Sequence, residues 1–187
     1  MSGPSVYVPI GLLHDSRLTY SDMVLWMVMR LDAKDDTITN VYSQSRLARR
    51  LGLARGTVIN GMKRLAKAGW YDPEKPTAVV NRYVDSEKWL KISGELFTRE
   101  NLRPRDIVIF CLLMGRGARN NQPATLRELA EYAHACPKTV SRAIKALQED
   151  EWLIVIRVYK TAPGKYQLDS PSARNYRKWY NRTDNSL

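Results

Sequence analysis

The chain has 187 residues, enough for one ordinary domain or two small ones, and 44% of them are hydrophobic, which suffices for packed cores. Its formal net charge of +11 favours a polyanionic partner, either a nucleic acid or an anionic membrane surface. Membrane insertion is not expected, because the longest apolar run, residues 107–114, is far shorter than the roughly 20 residues that span a bilayer.

Neither the N-terminus nor the cysteines suggest export. Residues 1–9 lack the basic and apolar regions of a secretory signal. Cys111 lies in an apolar stretch and Cys136 in a predicted turn, which fits a reducing compartment and indicates neither a disulfide framework nor a metal site. We therefore expect a cytoplasmic protein with no membrane partner and no cofactor.

The first predicted elements are a strand and a helix. Residues 6–13 are apolar and interrupted by Pro9, which indicates an edge strand or an extended arm. Thr19 and Asp22 mark the start of a core helix, and residues 32–40 form a polar loop after it.

Residues 43–70 are the most informative stretch of the chain. Ser43 suits a helix N-cap, and Gly52 can take the left-handed conformation that a sharp turn requires. A second helix should begin near Arg55, with apolar residues on one side and a polar, basic stripe on the other. The stripe consists of Gly56, Asn60, Lys63 and Lys67, with Thr57 and Arg64 flanking it. This pattern is typical of a helix-turn-helix, whose second helix fits the major groove of duplex DNA. Two amphipathic helices in an ordinary helical core are the alternative.

The residues that follow extend this motif into a winged helix. Gly69-Trp70 closes the second helix, and residues 78–84 are predicted to form a strand. We expect Lys75 at the tip of the wing and Arg82 on the returning strand.

At these positions the chain resembles the winged helix-turn-helix domains of plasmid and phage replication proteins and of many bacterial transcription regulators. The resemblance is carried by Thr57-Val58, Leu65, Gly69-Trp70 and Asn81-Arg82-Tyr83. It implies DNA binding by the second helix and the wing. The expected DNA-binding residues of this half are Ser43, Gln44, Arg46, Arg55, Gly56, Thr57, Asn60, Lys63, Arg64, Lys75 and Arg82.

The sequence contains an internal repeat. Residues 43–70 align with residues 125–152 at a constant offset of 82, without a gap and with seven identities. The identical pairs are Leu47 and Leu129, Ala48 and Ala130, Thr57 and Thr139, Val58 and Val140, Lys63 and Lys145, Leu65 and Leu147, and Trp70 and Trp152. We therefore predict a mainly α-helical protein with small β-hairpin wings, built from tandem winged helix-turn-helix domains at residues 1–85 and 86–169.

The second unit shows its own helix signals. Pro104 should begin a helix that ends in a Gly- and Asn-rich loop at residues 115–123. Thr125 and Glu128 form a capping box for the next helix, and Pro137 suits the first position of the helix after that. Strands are predicted at residues 152–159 and 165–168, flanking a second wing.

The second unit departs from the first at one turn. His134 stands where the first unit has Gly52, so this turn must accept a non-glycine residue or adopt another geometry. A solvated charged face is the alternative to DNA contact here. The expected DNA-binding residues of this half are Arg127, Lys138, Thr139, Ser141, Arg142, Lys145, Lys160 and Lys165.

A basic, aromatic tail occupies residues 170–187. Its composition is compatible with phosphate contact, with stacking on single-stranded nucleic acid or with docking on the protein's own surface. We favour docking by Trp179, which leaves the basic residues available to DNA.

Two functional classes remain after these observations. The sequence argues against an enzyme, because its two histidines are isolated and it has neither metal-ligand spacing nor a Gly-rich phosphate loop. The first class is sequence-specific binding of double-stranded DNA by a monomer or homodimer, as a replication initiator or a transcription regulator that recruits the corresponding machinery. The second is a protein-interaction module, such as a primosome or chromosome-organising adaptor, whose recognition face would be apolar or acidic. The basic stripes favour DNA.

Overall fold

Residues 4–32, 43–73, 89–120, 124–157 and 165–169 are described by a computed structural model. These residues are mainly α-helical, with two small antiparallel sheets. In these ranges no helix is both long and apolar enough to cross a lipid bilayer. Contacts divide the chain into two compact units, Met1–Glu100 and Asn101–Leu187.

The first unit contains one two-stranded sheet and four α-helices in its described part. Its elements are β1 (Ser5–Pro9), α1 (Ile10–Leu13), α2 (Tyr20–Leu31), α3 (Gln44–Leu51), α4 (Arg55–Ala68), β2 (Trp89–Ser93) and a 3-10 helix (Gly94–Thr98). β1 and β2 pair in antiparallel fashion, with Val6 opposite Ile92. Because of this pairing, residues 89–100 belong to the first unit, and the division falls later than the expected boundary between residues 85 and 86.

The N-terminal segment is only partly extended. The predicted strand or arm at residues 6–13 forms β1 up to Pro9, but residues 10–13 form the short helix α1. Pro9 marks the change because a proline has no N–H for the sheet, and its φ of −68° suits the residue before a helix.

The core of the first unit is built around α2. The predicted start of this helix is confirmed, because the Thr19 hydroxyl accepts a hydrogen bond from the Asp22 N–H and the Asp22 carboxylate accepts one from the Thr19 N–H. Every residue from Asp22 to Met29 is buried. The Trp26 ring meets the Trp70 ring edge to face, with centroids 6.2 Å apart, and its indole N–H donates to the Trp70 carbonyl at 3.0 Å.

In its described part the second unit contains three helices and a three-stranded sheet. Its elements are α5 (Pro104–Asn120), β3 (Ala124–Thr125), α6 (Leu126–Tyr132), α7 (Pro137–Glu149), β4 (Ile154–Arg157) and β5 (Lys165–Asp169). The strand order is β3-β5-β4, and both pairings are antiparallel. The capping box of Thr125 and Glu128 and the position of Pro137 at the start of α7 are confirmed.

Two details of the second unit differ from the sequence prediction. Residues 115–120, expected in a loop, continue α5 to Asn120. A glycine costs a helix only about 1 kcal/mol relative to alanine, and packing of the apolar side of α5 offsets such a cost. The short strand β3 was also not predicted, because a strand of two residues leaves no periodic pattern.

Both units make the same backbone turn between their paired helices. Gly52 has a φ of 60° and the aligned His134 a φ of 47°, so the second turn accepts a non-glycine residue in the left-handed conformation. In each turn the next N–H bonds to a carbonyl near the end of the preceding helix, from Leu53 to Ala48 at 2.9 Å and from Ala135 to Ala130 at 3.0 Å. These bonds satisfy carbonyl groups that the helix end would otherwise leave without partners.

Two glycines of α4 lie in opposite surroundings. A Cβ atom added at Gly61 would lie 2.8 Å from a carboxylate oxygen of Asp22 and 3.1 Å from a methyl carbon of Leu25. A Cβ atom added at Gly56 would meet nothing within 4 Å. Close packing against α2 therefore requires glycine at position 61 but not at position 56.

Alanine at these two positions should therefore change stability in opposite directions. Gly56→Ala should raise the free energy of unfolding by up to about 1 kcal/mol, because alanine forms helix more readily than glycine. Gly61→Ala should lower it by about 1 to 3 kcal/mol, because the added methyl group overpacks the contact with Asp22. Urea unfolding of both variants measures the two changes, and shifts of the same sign would contradict this packing.

Candidate nucleic-acid interface

The outer side of α4 carries the stripe that the sequence predicts. Gly56, Asn60, Lys63 and Lys67 are all exposed. They follow one another at intervals of about one helical turn and so form a continuous line along the helix. On the other side of α4, Val58 and Leu65 are fully buried. The stripe is thus available to a partner while the opposite side holds the helix in the unit.

Among the described residues, no side chain covers the N-terminal end of this stripe. Ala54, the residue before α4, makes no side-chain cap, and the first turn of α4 contains no acidic residue. Arg55 is exposed there, and the space outside Gly56 is open. The backbone of the first turn can therefore be approached closely from outside.

Other predicted residues of the first unit lie on or beside α3. Arg46 and Arg49 of α3 are exposed, and Gln44 is half-buried. The Ser43 hydroxyl accepts a hydrogen bond from the Arg46 N–H at 3.3 Å, so it serves as the N-cap of α3. On α4, Thr57 is half-buried at the edge of the stripe.

Arg64 was expected to flank the DNA-binding stripe, but its side chain is engaged inside the unit. Its guanidinium donates two hydrogen bonds to the Asp22 carboxylate, from Nε at 2.7 Å and from Nη2 at 2.8 Å. The Asp22 side chain is only 1% exposed, whereas that of Arg64 is 39% exposed. Burial raises the pKa of Asp22, but hydrogen bonds from Arg64 and Thr19 outweigh it and hold this pKa below its ordinary value. Arg64 therefore orients α4 on α2 rather than extending the stripe.

The second unit carries an equivalent stripe on α7. Lys138, Arg142, Lys145 and Glu149 are exposed at the positions aligned with the stripe of α4, and Ser141 is exposed beside them. Lys145 lies 3.6 Å from the Glu149 carboxylate. By contrast, Lys138 and Arg142 make no ion pair with any described residue.

Two further residues predicted to bind DNA in this unit already have partners. On α6 the Arg127 guanidinium donates to the Glu131 carboxylate at 3.1 Å. On α7 the half-buried Thr139 places its hydroxyl 3.0 Å from the Cys136 sulfur. A nucleic acid would have to compete with the Glu131 carboxylate for Arg127.

The predicted wing residues are only partly within the described ranges. Lys165 lies in β5, where it is opposite Thr125 of β3. Lys75, Arg82 and Lys160 lie outside the described residues, as do the strand predicted at residues 78–84, most of the predicted loop at 32–40 and the tail at 170–187.

The thiols and carboxylates do not form a second kind of site in the described ranges. No group of three or more His, Cys, Asp or Glu residues there could hold a metal ion. Cys111 is buried, and burial raises the pKa of its thiol to about 12, so it stays protonated at neutral pH.

Comparisons with protein-family models, with curated proteins and with solved structures find no match for this chain.

The ion pair between Asp22 and Arg64 should make stability depend on pH. Asp22→Asn keeps the side-chain shape and one acceptor but removes the charge, which should cost about 2 to 3 kcal/mol at pH 7, somewhat less than for a fully buried pair because Arg64 is partly exposed. Because the folded-state pKa of Asp22 is depressed, its contribution is full above the ordinary value of 3.8 and is lost as the pH falls through the lower folded value.

The measurement is the difference in unfolding free energy between wild type and Asp22→Asn from pH 7 down to pH 2. This difference should shrink once the pH falls below about 4. Glu100→Gln, a change at an exposed carboxylate, is the control and should stay within about 0.5 kcal/mol of wild type. A constant difference across the whole range would contradict the assigned role of Asp22.

Proposed function

We propose that this chain is a sequence-specific binder of double-stranded DNA, built from two tandem winged helix-turn-helix units. The observation that carries the proposal is the exposed polar stripe on α4 and again on α7, the second helix of each pair. A protein core does not need these side chains, since Val58, Leu65 and their counterparts supply the packing on the opposite sides. Amide, ammonium and guanidinium groups are the ones that contact base edges and phosphates.

The shape of each helix pair supports the same proposal. A helix, a left-handed turn at Gly52 or His134 and a second helix follow one another in both units. In a helix-turn-helix this arrangement lets the first helix cross the DNA backbone while the second enters the major groove. In the second unit the hairpin of β4 and β5 follows α7, at the position expected of a wing.

The side chains of the two stripes would prefer different bases. The amide of Asn60 can pair with adenine through two hydrogen bonds, and the guanidinium of Arg142 can do so with guanine, each discriminating by about 1 to 3 kcal/mol. Because Gly56 and Asn60 differ from the aligned Lys138 and Arg142, the two units should bind sub-sites of different sequence. An asymmetric DNA element is therefore expected rather than a palindrome.

From the sequence resemblance to replication and regulatory proteins we infer that the chain acts in the initiation of replication or the control of transcription, in the cytoplasm. The basic stripes favour this function over that of a protein-bridging adaptor, whose recognition faces would be apolar or acidic.

Arg142→Ala tests whether α7 contacts bases. Selection from random duplexes should show relaxed preference at one G·C position, and affinity for the selected site should fall by a factor of about 5 to 150, which corresponds to about 1 to 3 kcal/mol. Gln148→Ala is the matched control, since Gln148 is exposed on α7 but lies off the stripe. If Arg142→Ala and Gln148→Ala behave alike, α7 does not contact bases.

Gly56→Ala separates DNA binding from stability. Glycine at an exposed helical position with open space around it is unfavourable for the fold, whereas a bare backbone allows a ligand to approach closely. The variant should therefore be at least as stable as wild type yet bind the selected duplex about tenfold more weakly. Titration by fluorescence anisotropy measures the affinity, and unchanged binding would show that α4 does not approach DNA at this position.

A further inference from the structure

The paired helices of the two units carry very different charge. Residues 44–68, which include α3 and α4, contain seven basic residues and no acidic one. The aligned residues 126–150, which include α6 and α7, contain four basic and four acidic residues. The formal charge of the helix pair is therefore +7 in the first unit and zero in the second.

Charge reversal at three exposed positions accounts for most of this difference. Where the first unit has a basic residue, the second has a glutamate at the offset of 82, and all six side chains are exposed. The reversed pairs are Arg46 and Glu128, Arg49 and Glu131, and Lys67 and Glu149. Substitutions that keep the packing positions but reverse surface charges change what the surface attracts rather than how the unit folds.

Ion pairs increase the contrast at the stripes. Lys63 and Lys145 occupy the same aligned position, but Lys145 lies 3.6 Å from Glu149 whereas Lys63 makes no ion pair in the part of the chain that the structure describes. The first unit neutralises two of its own cations, since Arg50 pairs with Asp32 and Arg64 pairs with Asp22.

The other five cations of this helix pair are exposed on its surface. They are Arg46, Arg49, Arg55, Lys63 and Lys67. In the second unit, by contrast, the exposed glutamates on α6 and α7 would repel a phosphate backbone and compete with it for Arg127 and Lys145.

We propose that the two units have different roles in DNA binding. The first unit binds the phosphate backbone and supplies most of the salt-dependent affinity, and the second contributes mainly base selection. This inference rests on the proposed function. Each phosphate contact by a lysine or arginine releases condensed counterions and steepens the dependence of affinity on salt, by about 0.9 in the slope of log K against log salt concentration. A contact made by a base-reading side chain adds discrimination without the same release.

Lys63→Ala and Lys145→Ala form a matched pair for the test, because they remove the same side chain from the same aligned position. The probe is a pool of random duplexes of about 30 base pairs, titrated with the full-length chain at several salt concentrations. Lys63→Ala should lower the magnitude of the salt slope by about 0.9, whereas Lys145→Ala should lower it by less than about half as much.

Exchanging the charge at the last stripe position tests the cause directly. Lys67→Glu places a carboxylate four residues after Lys63, as Glu149 follows Lys145. It should lower the magnitude of the salt slope by about 1 to 2. Glu149→Lys should raise the magnitude of the salt slope by up to about 1, because it adds a cation and removes the carboxylate that pairs with Lys145. All four positions are exposed, so thermal unfolding followed by circular dichroism should show folded variants.

Each outcome of these titrations decides a separate point. Equal slopes for Lys63→Ala and Lys145→Ala, or a larger loss with Lys145→Ala, would overturn the division of work while leaving duplex binding intact. No binding of the wild-type chain to the duplex pool at about 50 mM salt would instead overturn the proposed function itself. A salt slope of larger magnitude in Glu149→Lys, together with one of smaller magnitude in Lys67→Glu, would support the proposed division between the two units.

Discussion

The closure of each helix pair by a tryptophan holds the structure of each unit together. Immediately after the left-handed residue that ends α4, the Trp70 N–H bonds to the Leu65 carbonyl at 2.9 Å, and its ring packs edge to face against Trp26 of α2. In the second unit Trp152 bonds to the Leu147 carbonyl at 2.8 Å and packs in the same way against Phe110 of α5. The face of α4 or α7 that reaches solvent is set by this contact, because the buried side of the helix is fixed against the core.

The contact between α2 and α4 in the first unit differs from the contact between α5 and α7 in the second. In the first, the buried Asp22 carboxylate reaches across to Arg64 and fills the space beside Gly61. In the second, Asp106 likewise accepts a hydrogen bond from the backbone N–H three residues earlier, but it pairs with its neighbour Arg105, and Ala146 stands where the first unit has Arg64. Burying a charged group is costly unless it is paired, so each aspartate needs an arginine, but only the first uses it to bind two helices together.

The same backbone therefore presents two different surfaces. Packing positions such as Leu47 and Leu129 or Val58 and Val140 are identical between the units, while the exposed positions exchange arginine or lysine for glutamate. Exposed charges contribute little to folding, so they can change without loss of the fold, whereas they dominate the attraction to a polyanion. This separation allows one scaffold to serve both as a phosphate anchor and as a base reader in the proposed function.

Much of the local structure follows from the sequence alone, because its causes lie within a few residues of one another. The capping boxes at Thr19 and Thr125, the start of α7 at Pro137 and the exposed stripes depend on neighbouring residues and on the helical repeat. The internal repeat also shows at the level of sequence, since it needs only a constant offset.

The tertiary structure decided what depends on partners distant in the chain. The position of Arg64 on its helix could be predicted. Its ion pair with Asp22, 42 residues earlier in the chain, could not. The pairing of β2 with β1, which assigns residues 89–100 to the first unit, likewise joins opposite ends of that unit. His134 could be flagged as an exception to glycine, but its left-handed φ of 47° is seen only in the folded chain. Local patterns record backbone preferences, whereas these features arise from pairings that exist only once the chain has folded.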